Sequence, residues 1–146
     1  MVNVRLASGL LCVLFSVPAF ASNSFLGVVD IATGFTFDKN RKQWRSTNFK
    51  ADEKYLVSKP PEPIPAFGPY VWQVTRIGGT SPDSMCENDF SHGVLVCNKG
   101  LHLFRMSSGT LRFMLVYQMG YVIDGTEGMK EGKNEPYIAI GKCSPL

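Results

Sequence analysis

The sequence predicts a mainly β protein, an antiparallel meander forming a small barrel or sandwich with one short helix near residues 82–90. Three observations carry this. Residues 110–119 alternate, with Leu111, Phe113, Leu115, Tyr117 and Met119 on one face and Thr110, Arg112, Met114, Val116 and Gln118 on the other. Residues 70–77 are rich in aromatic and β-branched side chains, which suit a half-buried pleated surface. Turn residues recur at short intervals: Gly78-Gly79, Asn98-Lys99-Gly100 and Ser107-Ser108-Gly109.

Taken in order, residues 34–38 and 43–49 read as two strands of a hairpin around the polar turn at Lys39, Asn40, Arg41 and Lys42. Residues 53–59 are a further strand. Residues 60–69 hold five prolines, and proline cannot donate to a sheet ladder, so this stretch is a loop. After the strand at 70–77, Ser81 can cap a helix, Pro82 suits its first turn, and Asp83 and Glu87 complement the positive end of its dipole. That is the helix expected near 82–90, carrying Cys86. Strands follow at 94–97, 101–106 and 110–119, with Tyr121, Val122 and Ile123 continuing the last of them past Gly120. A polar, glycine-rich loop spans 124–135. Residues 137–140 form the final strand, and Gly141, Lys142 and Cys143 close the domain. No internal repeat or second domain is visible, so residues 22–146 are expected to be one β domain.

The first residues have a different character. Arg5 is the only charge before residue 22, residues 6–17 form an uncharged apolar run, and Pro18 precedes Ala19-Phe20-Ala21. This is the charged, apolar and small-residue order of a signal peptide over residues 1–21, cut between Ala21 and Ser22. A twelve-residue apolar run is too short for a spanning helix, which needs roughly 20 residues, so no stable membrane anchor is expected. Leu11 before Cys12 is too large for a lipoprotein cleavage site. The expected location is therefore the periplasm or the exterior.

Cleavage removes Arg5 and no acid, leaving 14 basic and 12 acidic residues, net +2. The charges are scattered apart from Lys39, Arg41, Lys42 and Arg45, which read as a solvated turn. Without a concentrated basic stripe, nucleic acid is not an expected partner. Export places Cys86, Cys97 and Cys143 where disulfides persist. Cys86–Cys97 is the favoured bridge because the two are close in the chain, with Cys97–Cys143 as the alternative.

Candidate chemistry is sparse. Cys86, His92, Cys97 and His102 are zinc-capable and near one another in sequence, but they are evenly spaced and lack the paired spacing of a zinc finger. A cysteine nucleophile at Cys86, with His92 or His102 as base, has no third orienting group in view. Asp83, Glu87, Asp89 and Glu127 are carboxylates with no sign of facing one another. Trp44, Trp72, Tyr70, Tyr117 and Tyr121 are read as core before they are read as a groove. No cofactor and no catalytic or metal residue is assigned.

The segments Trp44-Arg45-Ser46-Thr47-Asn48-Phe49, Lys54-Tyr55-Leu56-Val57, Leu111-Arg112-Phe113 leading to Gly120-Tyr121-Val122, and the ending 136–146 resemble a family of small exported bacterial proteins with no assigned activity. The resemblance covers most of the mature chain. It implies export and a single domain, and it carries over no site residue.

The expected function is a non-enzymatic binding or interaction module whose partner is another envelope or extracellular protein. One alternative is an exported enzyme or metal site using Cys86, His92, Cys97 and His102. A second is a carrier of a small apolar ligand, held inside the barrel against the face running from Leu111 to Met119.

Overall fold

A computed structural model describes residues 23–61, 69–124, 130 and 132–146. The expected signal peptide, its cut between Ala21 and Ser22, most of the proline-rich loop and part of the 124–135 loop lie outside the described residues. The elements run β1 Ser24–Asp38, β2 Gln43–Phe49, β3 Lys54–Ser58, β4 Trp72–Arg76, β5 Ser84–Cys86, β6 Val94–Cys97, β7 Lys99–Gly100, β8 His102–Ser107, β9 Arg112–Tyr117, α1 Met119–Ile123 and β10 Tyr137–Pro145. All strand pairs are antiparallel, in the order β6-β8-β9-β10-β1-β3-β4-β5-β7, with β2 paired to β1 beside β3.

β1 organises the sheet. One side of it pairs with β10 from Phe25 to Gly34. The other side pairs first with β3, over Ser24–Val28, and then with β2, over Ala32–Asp38. Phe25, Gly27 and Val29 face inward, the register shifts between Val29 and Ile31, and Ala32 resumes the buried face. A bulge bends and twists the strand that carries it, which lets one long strand serve two collinear partners. The β1–β2 turn is the one the sequence predicts. Asp38 accepts from the N–H groups of Asn40 (3.0 Å) and Arg41 (3.1 Å), and Lys42 takes a left-handed φ of 51°.

The two ends of the sheet meet. β6 pairs with β8 at one end, β7 pairs with β5 at the other, and β6 and β7 are consecutive in the chain. The Cys86–Cys97 disulfide joins β5 to β6 across the same seam. The result is a nearly closed barrel. Its interior is filled: Tyr55, Val57, Val74, Leu95, Phe104 and Leu115 are fully buried. β9 alternates as predicted, Phe113 and Leu115 inward and Arg112 and Met114 outward, though it ends at Tyr117.

Three expectations need correction. Residues 84–86 form β5, not part of a helix. Trp72 pairs with Cys86 in the β4 ladder, Asp83 accepts from the Arg76 N–H at 3.0 Å, and the Ser84 hydroxyl lies between the carbonyls of Cys97 (3.0 Å) and His102 (2.8 Å). Ladder pairing and the disulfide outweigh a few tenths of a kcal/mol of helical preference per residue. The one helix among the described residues is α1, where Tyr121, Val122 and Ile123 were expected to extend a strand. Asn134 packs so closely on Gly120 that no Cβ fits between them. Asp124 then closes the turn by donating its N–H to the Gly120 carbonyl at 3.0 Å and accepting from the N–H groups of residues 132–134. Finally, Lys99 and Gly100 belong to a short strand rather than to a turn alone.

Candidate binding groove

The barrel positions two features at one end, a groove outside the sheet and a polar cluster inside it. Past Gly34, β1 outruns β10 and continues with β2 as a projecting hairpin. Thr33 and Phe35 on β1 share an outward face with Trp44 and Ser46 on β2, and with Ile138 and Val116 on the neighbouring strands. α1 follows β9 and sets Tyr121 edge-on to Trp44, ring centroids 5.5 Å apart, while Phe37 supports Trp44 at 5.6 Å. The space enclosed is a groove of about 810 Å3. Its walls are Phe35, Trp44, Val116, Tyr121, Tyr137 and Ile138, with Arg45 and Gln118 supplying polar groups. Phe35 is 52% exposed and Tyr121 62% exposed, so both residues are open to solvent.

Beneath the groove, Tyr137 links it to the interior. It is among the residues lining the groove, its ring packs on His102 and Tyr117, and its hydroxyl hydrogen-bonds Nε2 of His102 at 3.2 Å. Tyr117 packs on the same imidazole, centroids 5.1 Å apart. Tyr55, fully buried, donates to Glu53 at 2.5 Å, and Glu53 pairs with Arg76 at 3.0 Å. Asp83 stands 3.9 Å from Nδ1 of His102, which has no hydrogen-bond partner. Burial pushes the His102 pKa below its ordinary value, against the opposing pull of Asp83. Burial, reinforced by donation to Glu53, pushes the Tyr55 phenol far above its own.

The four residues weighed as a Cys/His site are dispersed. Cys86 and Cys97 are buried in the disulfide. His92 sits exposed in the turn before β6, with φ 51°, and contacts the Ser91 hydroxyl at 3.1 Å. His102 belongs to the Tyr137 cluster. No group of three or more potential metal ligands comes together among the described residues. Cys143 is a free, buried thiol whose pKa burial pushes up to about 12, which keeps it protonated and unreactive at neutral pH.

The carboxylates have structural partners. Glu87 pairs with Lys99 at 3.4 Å, and Asp89 accepts from the Trp72 indole at 2.9 Å. That donation holds the Asp89 carboxyl below its usual range. Glu127 lies outside the described residues. Of the five aromatics expected in the core, Trp72 is buried, whereas Trp44, Tyr117 and Tyr121 line the groove. The groove was missed because it needs β1, β2, β9, β10 and α1 together. The one local hint was the aromatic residue on each side of the hairpin turn, Phe37 and Trp44.

No family model matches the chain, and no curated protein or solved structure matches it.

Proposed function

We propose that the protein is a non-enzymatic binding module of the periplasm or the exterior, and that the groove takes apolar side chains of another protein. The observation that carries this is the trio of Phe35, Trp44 and Tyr121 walling about 810 Å3 of open, apolar space. That volume falls within the roughly 300–1,000 Å3 of ordinary ligand sites. Exposed aromatic rings offer large contact area at little entropic cost, as anchor sites at interfaces do. Arg45 at the rim gives the occupant a cationic neighbour. The Cys86–Cys97 disulfide accords with an oxidising compartment. No helix among the described residues is long and apolar enough to cross a membrane.

The carrier alternative placed its ligand against the face from Leu111 to Met119. On that face Phe113 stacks on Phe104 at 5.4 Å and meets the Tyr55 ring at 6.4 Å, so side chains already occupy the space. The apolar opening lies on the outer face instead.

The test is titration with the neutral apolar dye Nile red, followed by its emission and by tryptophan fluorescence. Wild-type protein is expected to bind the dye, with Trp44→Ala and Tyr121→Ala weakening it by about fivefold or more, as loss of an aromatic anchor does. Dye affinity unchanged in both variants overturns the groove. Turnover of a substrate that is lost on His102→Ala overturns the non-enzymatic reading.

A further inference from the structure

The groove opens onto a much larger apolar surface. Outward-facing positions on β6, β8, β9, β10 and β1 fall into cross-strand rows fixed by the register. One row runs Val96, Arg105, Met114, Ile140 and Ile31. The next, toward the groove, runs Leu103, Val116, Ile138 and Thr33. On the far side lies a row of Arg112, Lys142, Val28 and Lys54. Ile31 is 58% exposed, and Ile138 and Ile140 are 44% and 45% exposed. The centre of the sheet's outer face is thus branched aliphatic and open to solvent.

β6 has 4 residues, β8 and β9 have 6 each, and the rows take about six from each of β10 and β1. At about 3.3 Å per residue and about 4.8 Å between strands, they make a face of about 440 Å2. That is within the roughly 300–600 Å2 of the largest patch a monomer ordinarily leaves exposed, a patch that is often functional. It is about half of the roughly 800 Å2 that each partner contributes to a standard protein interface. The charges on and around this face have one dominant sign. Arg105 sits within the aliphatic rows, and Arg112, Lys142 and Lys54 border them. None of these four makes a side-chain ion pair among the described residues. Asp30, at the bulge, is the nearest acid on β1.

We propose that the outer face of β1, β8, β9 and β10, continuous with the groove, is a docking surface for an acidic, apolar segment of another protein. This deepens the binding-module reading by naming the partner's chemistry, and it rests on that reading. Aliphatic side chains of the partner cover Ile31, Ile138, Ile140 and Met114, and its carboxylates meet Arg105, Arg112, Lys142 and Lys54. A second copy of the chain fits less well, because a two-fold contact sets Arg105 of each copy into an interface of like charge. A bilayer has no use for a walled groove of fixed shape at one end of the surface, whereas a protein segment does.

The probe is a short labelled peptide of glutamate and leucine, compared with its counterpart in which lysine replaces glutamate. The acidic peptide is expected to bind, more weakly as salt rises, and the lysine peptide is not. Arg112→Glu with Lys142→Glu is expected to lower the acidic peptide's affinity by about tenfold or more while leaving Nile red binding intact. Arg112→Gln with Lys142→Gln, a gentler pair, should lower it in the same direction. Equal binding of the two peptides, or unchanged affinity in both double variants, overturns the proposal. Stronger binding to phosphatidylglycerol vesicles than to the peptide, or self-association without peptide binding, also overturns it. Failure of the groove reads out separately, as dye affinity unaffected by Trp44→Ala.

Discussion

His102 shows how a single side chain acquires its chemistry from distant parts of the chain. It faces Asp83 and Arg76 from one side of the barrel, Glu53 from the start of β3, and Tyr117 and Tyr137 from β9 and β10. Its pKa is lowered in the folded protein, chiefly by burial, so folding favours the neutral ring. The corresponding stability is present above the unfolded value of about 6.5 and is lost as pH falls through the depressed folded value. Urea midpoints measured from pH 7.5 downward should therefore fall before the carboxylates titrate. His102→Gln should flatten that part of the profile. A slope unchanged in the variant would assign the acid sensitivity to other groups. The sequence marked His102 only as a neighbour of two cysteines and another histidine. The groups around it lie as far away in the chain as Glu53 and Tyr137, and no local pattern encodes such distances.

At the scale of elements, the pairing of β1 with β10 depends on close approach. A Cβ on Gly141 would overlap the Val28 carbonyl and stand 2.7 Å from the Phe113 ring. Neither neighbour can yield, because Val28 is held in the ladder and Phe113 is buried against Phe104 and Tyr55. Gly141→Ala is expected to cost about 1–3 kcal/mol, the usual penalty for overpacking a filled core. A urea midpoint within error of wild type would show that the two strands separate at little cost. The alternating strands were legible because period-two burial is written directly in the residue order. The first ten residues of β1 were not. The register shift between Val29 and Ile31 breaks the alternation, and Gly27 and Asp30 carry no strand preference. The helix expected at 82–90 failed for the converse reason. Its start signals are real but weak, and ladder pairing with β4 outcompetes them.

For the whole molecule, closure rests on one short seam. The two ends of the sheet are joined by the β6–β7 passage, by the Cys86–Cys97 bridge, which spans 11 residues, by the Ser84 hydroxyl between the Cys97 and His102 carbonyls, and by the His102 N–H donating to the Asp83 carbonyl at 3.3 Å. A bridge around a loop of that length stabilises by about 2–3 kcal/mol in the chain-entropy model. Cys86→Ala with Cys97→Ala should lower stability by that amount. Amide hydrogen exchange should accelerate first in β5 and β6, while β1 and β10 at the centre stay protected. Uniform acceleration across all strands would show that the seam opens only with the entire barrel. The groove lies away from this seam, among β1, β2, β9, β10 and α1, so dye binding should outlast the loss of the bridge.

The sequence by itself determined the antiparallel, mainly β class, the β1–β2 hairpin with its turn, the inward face of β9 and the favoured disulfide. Each of these is a local property: alternation, turn chemistry, or closeness of two cysteines in the chain. The tertiary structure alone decided where the helix falls, how β1 serves two partners, and how the barrel closes. It also decided that Trp44 and Tyr121 wall a groove while Trp72 is buried. A strand's alternation says which residues share a face. It does not say whether that face meets the core or the solvent, because that depends on which strands lie beside it and how far each extends.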